Sequence, residues 1–332
     1  MTSLAATTPT PTRGSDLITL WKNLFEAQER ILRDRDDPEA VHDARVASRR
    51  LRTAMEAAAP SHSQKWFRSL NSDAKSYTRL LGRLRDADVM LGQVSKSLEQ
   101  ADDKGEAGWR YLYKQLSRER RQERKDVVRR LKRFDADYRK MVVRRLTNAT
   151  ARNGQGSQML NPDPSFLASR AGHVVAFDAA IRKATDPSPF HDLRIETKHL
   201  RYALELASPA PDPTLVEALK RLQESLGNLH DCDVRIERLG QEAESLTEHK
   251  NSDPQTVASL RYLEEEEAKR RDNLRIEALA AWTKLRRGNL RKQLDALANP
   301  MPSAPVSPSP NGHRPSEASL EQQMRSSAPA MG

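Results

Sequence analysis

An eleven-residue segment occurs twice in this chain, and that repetition constrains the fold more than any other feature. His42-Asp-Ala-Arg-Val-Ala-Ser-Arg-Arg-Leu-Arg52 aligns without gaps to His191-Asp-Leu-Arg-Ile-Glu-Thr-Lys-His-Leu-Arg201, with five positions identical and three exchanged conservatively. A second pair follows in the same order. Leu80-Leu-Gly-Arg-Leu-Arg-Asp-Ala-Asp-Val89 matches Ser225-Leu-Gly-Asn-Leu-His-Asp-Cys-Asp-Val234 at six of ten positions. The offset falls from 149 to 145 residues between the two pairs, so the intervening loop is four residues shorter in the second copy. Lys75 and Lys220 keep the register of 145. Two motifs in one order with a similar gap mark an internal duplication, so whatever the first copy builds, the second must build as well.

That unit is helical. Apolar residues recur with a helical period across most of the chain, and strand-like alternation is nearly absent. Glycine is scarce at 13 of 332 residues and aromatics make up 5%, which disfavours a turn-rich β protein. Pro, Gly and Asn/Asp clusters divide the chain into eight helices near 15–34, 38–59, 63–99, 106–148, 165–185, 189–208, 213–247 and 255–296. They form two sets of four, repeat one over 15–148 and repeat two over 165–298, joined by a linker at 149–164. Residues 1–14 and the Pro/Ser-rich 299–332 are expected to be disordered. Charged residues at 31% and a mean hydropathy of −0.79 argue against a membrane protein, and no apolar run is long enough to span a bilayer. The N-terminal stretch lacks the apolar core of a secretory signal, and the single cysteine, Cys232, leaves no intrachain disulfide. A cytoplasmic location is therefore expected.

Placed on a helix, the first motif separates two faces. His42, Arg45, Arg49 and Arg52 fall within a sector of about 80°, opposite Ala47, Leu51, Ala54, Met55 and Ala58. The second copy repeats the division, with His191, Arg194, Lys198 and Arg201 opposite Leu193, Leu200, Ala203, Leu204 and Ala207. Cations three or four residues apart repel one another unless an anion lies between them. A lone basic stripe is usually a solvated face, but one duplicated in register points to a counter-charge presented from outside. Arginine suits that task, because its planar fork binds two phosphate oxygens at once. His42 and His191 fall in the first turn of their helices, behind Pro38 and Pro189, where free backbone N–H groups also attract anions.

The net charge of +10 also implies an acidic partner. Residues 110–145 hold fifteen Lys/Arg against five Asp/Glu and so account for the whole excess. There, Arg110, Lys114, Arg118, Arg121, Lys125, Arg129 and Lys132 occupy one sector of about 100°. Its counterpart begins alike, Arg261-Tyr262-Leu263 matching Arg110-Tyr111-Leu112, but continues as Glu264 to Glu267. Lys75, Arg79 and Arg83 share a face with Gly82. Glycine in both copies (Gly82, Gly227) predicts close backbone approach, since it costs a helix about 1 kcal/mol relative to alanine. Asp86, Asp88, Asp231 and Asp233 are expected to orient arginines rather than bind metal. Cys232 and the four tryptophans (Trp21, Trp66, Trp109, Trp282) read as packing residues.

Taken together, the two motifs, both repeated in order, resemble the CHAD family of conserved-histidine α-helical domains, over roughly residues 15–296. The resemblance implies an all-α fold of two four-helix bundles related by a pseudo-twofold axis, with a basic central groove or pore that binds inorganic polyphosphate. Association with polyphosphate granules is also implied, and no catalysis. Carried across, it points to His42, Arg45, Arg49, Arg52, Lys75, His191, Arg194, Lys198, Arg201 and Lys220 as ligands. The cations Arg79, Arg83, Arg110, Lys114 and Arg118 join them as candidates. The chain departs from symmetry where Arg79 meets Glu224, Arg83 meets Asn228 and Arg85 meets His230. No cofactor is implied.

Two other functional classes compete. His-Asp pairs at 42–43, 191–192 and 230–231 are a feature of HD-type metal-dependent phosphohydrolases, but two of them are equivalent positions of a repeat. An ExExK match at Glu265, Glu267 and Lys269 lies in a helical run, whereas triphosphate-tunnel chemistry needs it on a strand. Nucleic-acid binding would explain the charge, yet few aromatics interleave with the basic stripes to stack bases.

Overall fold

The computed structural model describes residues 16–34, 37–62, 64–152, 162–184, 186–207, 211–248 and 253–299. Every regular element among them is a helix. The expected disorder at 1–14 and beyond 299 lies outside the described residues. So does most of the 149–164 linker, although helix continues to Arg152 and resumes at Pro164.

In repeat one, α1 (Leu17–Arg33) starts where Asp16 accepts from the Thr19 N–H at 2.7 Å. Helix α2 (Pro38–Ala58) starts where Asp37 accepts from the Glu39 and Ala40 N–H groups at 2.8 and 3.0 Å, with Pro38 at the first helical position. After a 3₁₀ turn at Ala59–Ser61 come α3 (Lys65–Glu99), α4 (Glu106–Leu131) and α5 (Ala136–Arg152). Repeat two holds α6 (Pro164–Val175), α7 (Asp178–Lys183), α8 (Ser188–Leu206), α9 (Pro213–Glu248), α10 (Pro254–Leu285) and α11 (Gly288–Ala298).

Three of the expected helices are therefore each broken in two. The run expected over 106–148 breaks after Leu131, where Phe134 turns inward and stacks on Tyr77 with ring centroids 3.9 Å apart. Asp135 then accepts from the Tyr138 N–H at 2.9 Å and begins α5. The run over 165–185 breaks at Ala176 and Phe177. The run over 255–296 breaks before Gly288, whose φ of 56° is a left-handed conformation that only glycine adopts without penalty. Apolar periodicity passes through such breaks because the same face stays buried on both sides.

Burial divides into three clusters. One gathers α1, α2 and α3 with parts of α4 and α5 around Trp21, Leu24, Phe67 and Tyr77. A second gathers α6 to α11 around Leu193, Leu200, Leu226 and Trp282. The third joins the two sets, with Val94, Trp109 and Leu112 against Leu239, Leu260 and Leu263. Trp66 packs against the first cluster, so all four tryptophans serve packing as expected. Among the described residues, no helix is long and apolar enough to cross a membrane.

Close backbone approach, expected at Gly82 and Gly227, occurs elsewhere. A Cβ at Gly82 would meet only the Arg45 guanidinium, at an ordinary 3.6 Å, and one at Gly227 would meet nothing within 4 Å. At Gly108 a Cβ would lie 2.9 Å from Leu263 Cδ1 and Ser259 Oγ and 3.1 Å from the Leu260 backbone nitrogen. The Gly108 N–H donates to Ser259 Oγ at 2.9 Å, which fixes α4 against α10. Gly108→Ala is thus expected to lose stability in urea titration. Overpacking at about 1–3 kcal/mol exceeds the helix-propensity gain of about 1 kcal/mol. Gly92→Ala, exposed in α3 with nothing within 4 Å, is the control and should gain up to about 1 kcal/mol.

Candidate polyanion-binding site

Helices α2 and α8 carry the two copies of the first motif, and they pack against each other. Because Ala44, Leu51, Ala54 and Met55 face the first core, and Leu193, Leu200 and Leu204 the second, the cationic sides of both helices are turned out of the cores. Together with α3 and α9, which carry the second motif, they enclose a cavity of about 590 Å³. Its charged lining comprises Arg45, Arg49, Arg52, Arg85, Arg194 and Lys198 against only Glu56, Asp86 and Asp231. His42, His191, His199, His230 and Tyr202 also line it, with Thr53, Thr78 and Gln93.

The cations are crowded and poorly hydrated. Burial, reinforced by Arg49, lowers the Arg45 pKa to about 10. Burial also lowers that of Arg194. Lys198, half-buried beside Arg194, Arg49 and Arg45, falls to about 7. Arg45 Nη1, Arg49 Nε and Arg194 Nε are buried donors without a hydrogen-bond acceptor. Buried donors in native proteins are nearly always satisfied, so three in one cavity call for an acceptor from outside. The same field acts on His42 and His230. Burial, with Arg85 next, lowers the pKa of His42, while burial, Arg194 and His191 bring that of His230 to about 4. His191 Nδ1 and His230 Nδ1 lie 3.2 Å apart, so one ring donates and the other accepts.

Asp231 is oriented from behind. Gln93 of α3 donates to it at 2.8 Å and accepts from Arg235 at 2.5 Å, and Arg235 donates to the buried Glu267 at 2.9 Å. Cys232 donates to Glu267 Oε2 at 3.2 Å, and burial pushes its thiol up to about 12, so it is an inert packing residue. Asp88 pairs with Arg120 of α4 at 2.6 Å. Of the four aspartates expected to orient arginines, Asp88 bonds to one, Arg120, whereas Asp231 accepts from Gln93. Glu267 and Lys269 of the ExExK match lie on α10, and Lys269 pairs with Glu266 at 2.6 Å. Among the described residues, no group of three or more His, Cys, Asp or Glu side chains is arranged to hold a metal ion.

The sequence-predicted residues divide in two. His42, Arg45, Arg49, Arg52, His191, Arg194 and Lys198 share the cavity wall. Arg201 does not; it bonds to Glu205 and Gln223 and covers the Tyr202 ring at 4.5 Å. Arg52, its counterpart, lines the cavity but is paired with Glu56 at 3.0 Å. Lys75, Arg79, Arg83, Arg110, Lys114, Arg118 and Lys220 are exposed and stand outside the cavity wall. Their helical phase turns them to solvent, with Arg83 3.7 Å from Glu123 and Arg110 paired with Glu106. At the helix N-termini, Asp37 already accepts from the Glu39 and Ala40 N–H groups of α2, and Asp186 from that of Ser188 in α8; His42 is the fifth residue of its helix, just past the first turn, and His191 is the fourth of its own.

Arg85, His199, Tyr202 and His230 were not among the expected ligands, although all line the cavity. Arg85 and His230 did carry a signal, since they occupy equivalent places before the repeated aspartate.

A family model described as the CHAD domain matches residues 17–240. The chain belongs to the CHAD domain family. Polyphosphate binding is the known role of that family. Among solved structures, PptA from Streptomyces chartreusis is 15% identical, with a TM-score of 0.57 over 81% of this chain and 97% of its own. The CHAD domain from the plant Ricinus communis is 22% identical, with a TM-score of 0.53 over 85% and 90%. No sequence in the curated protein set matches the chain. The CHAD match contains every cavity-lining residue, whereas α10 and α11 lie beyond it.

The Lys198 environment sets a pH dependence for this CHAD domain. Folding drops its pKa from the usual 10.5 to about 7, so between those values the unfolded chain holds the extra proton and stability rises with pH. Below pH 7 the folded protein carries the desolvated charge in full. Lys198→Met is therefore expected to raise the urea midpoint most below pH 7, with the gain shrinking as pH approaches 10.5. Identical midpoints across that range would mean that Lys198 is well hydrated.

Proposed function

We propose that the chain binds inorganic polyphosphate non-covalently in the cavity between α2 and α8. The observation that carries this reading is the convergence of Arg45, Arg49, Arg194 and Lys198 in one cavity, with buried donors on the three arginines lacking an acceptor. A phosphate chain supplies closely spaced anionic oxygens, and each guanidinium can hold two of them. Contacts that are individually modest add along one ligand, which favours long chains over orthophosphate. Granule association belongs to the same proposal, and the reading needs no cofactor.

The competing classes fit this site less well. Of the aspartates in the three His-Asp pairs, Asp43 turns to Arg30, Asp192 is exposed, and only Asp231 reaches the cavity. That leaves no pair of complete His-Asp units facing a shared metal. Against nucleic acid, the one Phe, Tyr or Trp ring in the wall, Tyr202, already has Arg201 at 4.5 Å and Arg49 at 5.4 Å, which compete with a base for stacking.

Calorimetric titration with long-chain polyphosphate, with single- and double-stranded DNA as competitors at matched phosphate, tests the proposal. Arg45→Ala/Arg194→Ala removes two charge-assisted contacts of about 1.5–3 kcal/mol each, an expected loss of at least about 100-fold in affinity. Displacement of polyphosphate by DNA, or indifference to the two substitutions, would overturn the reading.

A further inference from the structure

The cavity, at about 590 Å³, holds a limited stretch of a long phosphate chain. The remainder of a long chain must run over the outside of the protein. The outer face of α4 is the surface with charge to meet it. Arg110, Lys114, Arg118, Arg121, Lys125 and Arg129 are all exposed, and at 1.5 Å per residue they span roughly 28 Å along one side of the helix.

The internal bookkeeping of charge on α4 leaves this strip uncompensated. Glu119 is drawn to Arg238 of α9, and Glu123 to Arg83 of α3. Asp126 is shared among Arg83, Arg129 and Arg130. Only the two ends of the strip have carboxylate partners, Arg110 on Glu106 and Arg129 on Asp126. Lys114, Arg118, Arg121 and Lys125 have none, although like charges at this spacing destabilise a helix. The equivalent stretch of α10 carries Glu264 to Glu267, so the strip is confined to one side of the molecule.

We infer that this strip is a second, outer track for the same polyphosphate, engaged by chains too long for the cavity. The inference rests on the proposed function. It separates two tasks: the half-buried cations of α2 and α8 hold a short segment, and α4 adds length-dependent contacts. Helix α3 lies between them, its Asp88 bonded to Arg120 of α4, so the track is distinct from the cavity wall. A single file of cations suits a single flexible chain, and Tyr113, exposed on α4 beside it, is one ring rather than the succession of platforms on which several bases stack.

The test uses the full chain with Lys114→Gln/Arg118→Gln/Arg121→Gln/Lys125→Gln, titrated with long-chain polyphosphate across a salt series beside wild type and Arg45→Ala/Arg194→Ala. Glutamine keeps helix propensity at exposed positions, and circular dichroism checks that the fold is retained. With four cations gone, the salt dependence of log affinity is expected to flatten by about 3, at about 0.7 per contact, with affinity down more than tenfold at low salt. A quadruple variant with wild-type affinity and slope would overturn the outer track while leaving the cavity reading intact. In a parallel titration with duplex DNA, loss of DNA binding by the quadruple variant without loss of polyphosphate binding would overturn it in favour of a nucleic-acid surface. Absence of polyphosphate binding by wild type would remove both readings together.

Discussion

The structure depends on holding like charges together out of water. Arg45, Arg49, Arg194 and Lys198 approach one another between α2 and α8, and burial depresses the pKa of three of them. Such an arrangement opposes folding, because desolvated cations lose hydration and gain repulsion. The apolar faces of the same two helices offset the cost. Leu51, Ala54 and Met55 anchor α2 in one core, and Leu193, Leu200 and Leu204 anchor α8 in the other. Each cation row is thus placed by what lies behind it.

The ends of the rows serve a different purpose from their middles. Arg52 pairs with Glu56, and Arg201 with Glu205, at equivalent positions of the repeated segment. Those glutamates also reach across the molecule: Glu56 accepts from Arg170 at 2.9 Å, and Glu205 lies 3.5 Å from Arg50. The two helices are therefore fastened at one end by ion pairs and left cationic in the middle. Farther along α3 and α9, the chain from Asp231 through Gln93 and Arg235 to Glu267 ties the wall of the cavity to a buried ion pair.

Much of this was legible in the sequence, because the repeated segment carries both its helical phase and its charge. The cavity positions of His42, Arg45, Arg49, His191, Arg194 and Lys198 follow from a single angular sector per helix. Residues whose role depends on a partner in another element were less legible. Arg201 looks identical to Arg52 until Gln223 and Tyr202 are seen beside it. Tyr202 lies on the buried side of its helix and gave no basic signal. The breaks at Phe134 and Gly288 were hidden because a buried face continues through them. Gly108 gave no warning either, since its constraint comes from Leu260 and Leu263, some 150 positions away in the chain.

The central claim is that an anion from outside relieves the crowding of the cavity cations, and Lys198 reports on this directly. At pH 8 a lysine with a pKa near 7 is mostly neutral, and phosphate oxygens beside it would restore its charge. Calorimetry of polyphosphate binding at pH 8, in buffers of different ionisation enthalpy, counts the protons taken up. The account predicts uptake approaching one proton per protein molecule in wild type, most of it lost in Lys198→Met. Binding with no proton uptake, or with the same uptake in the variant, would contradict it.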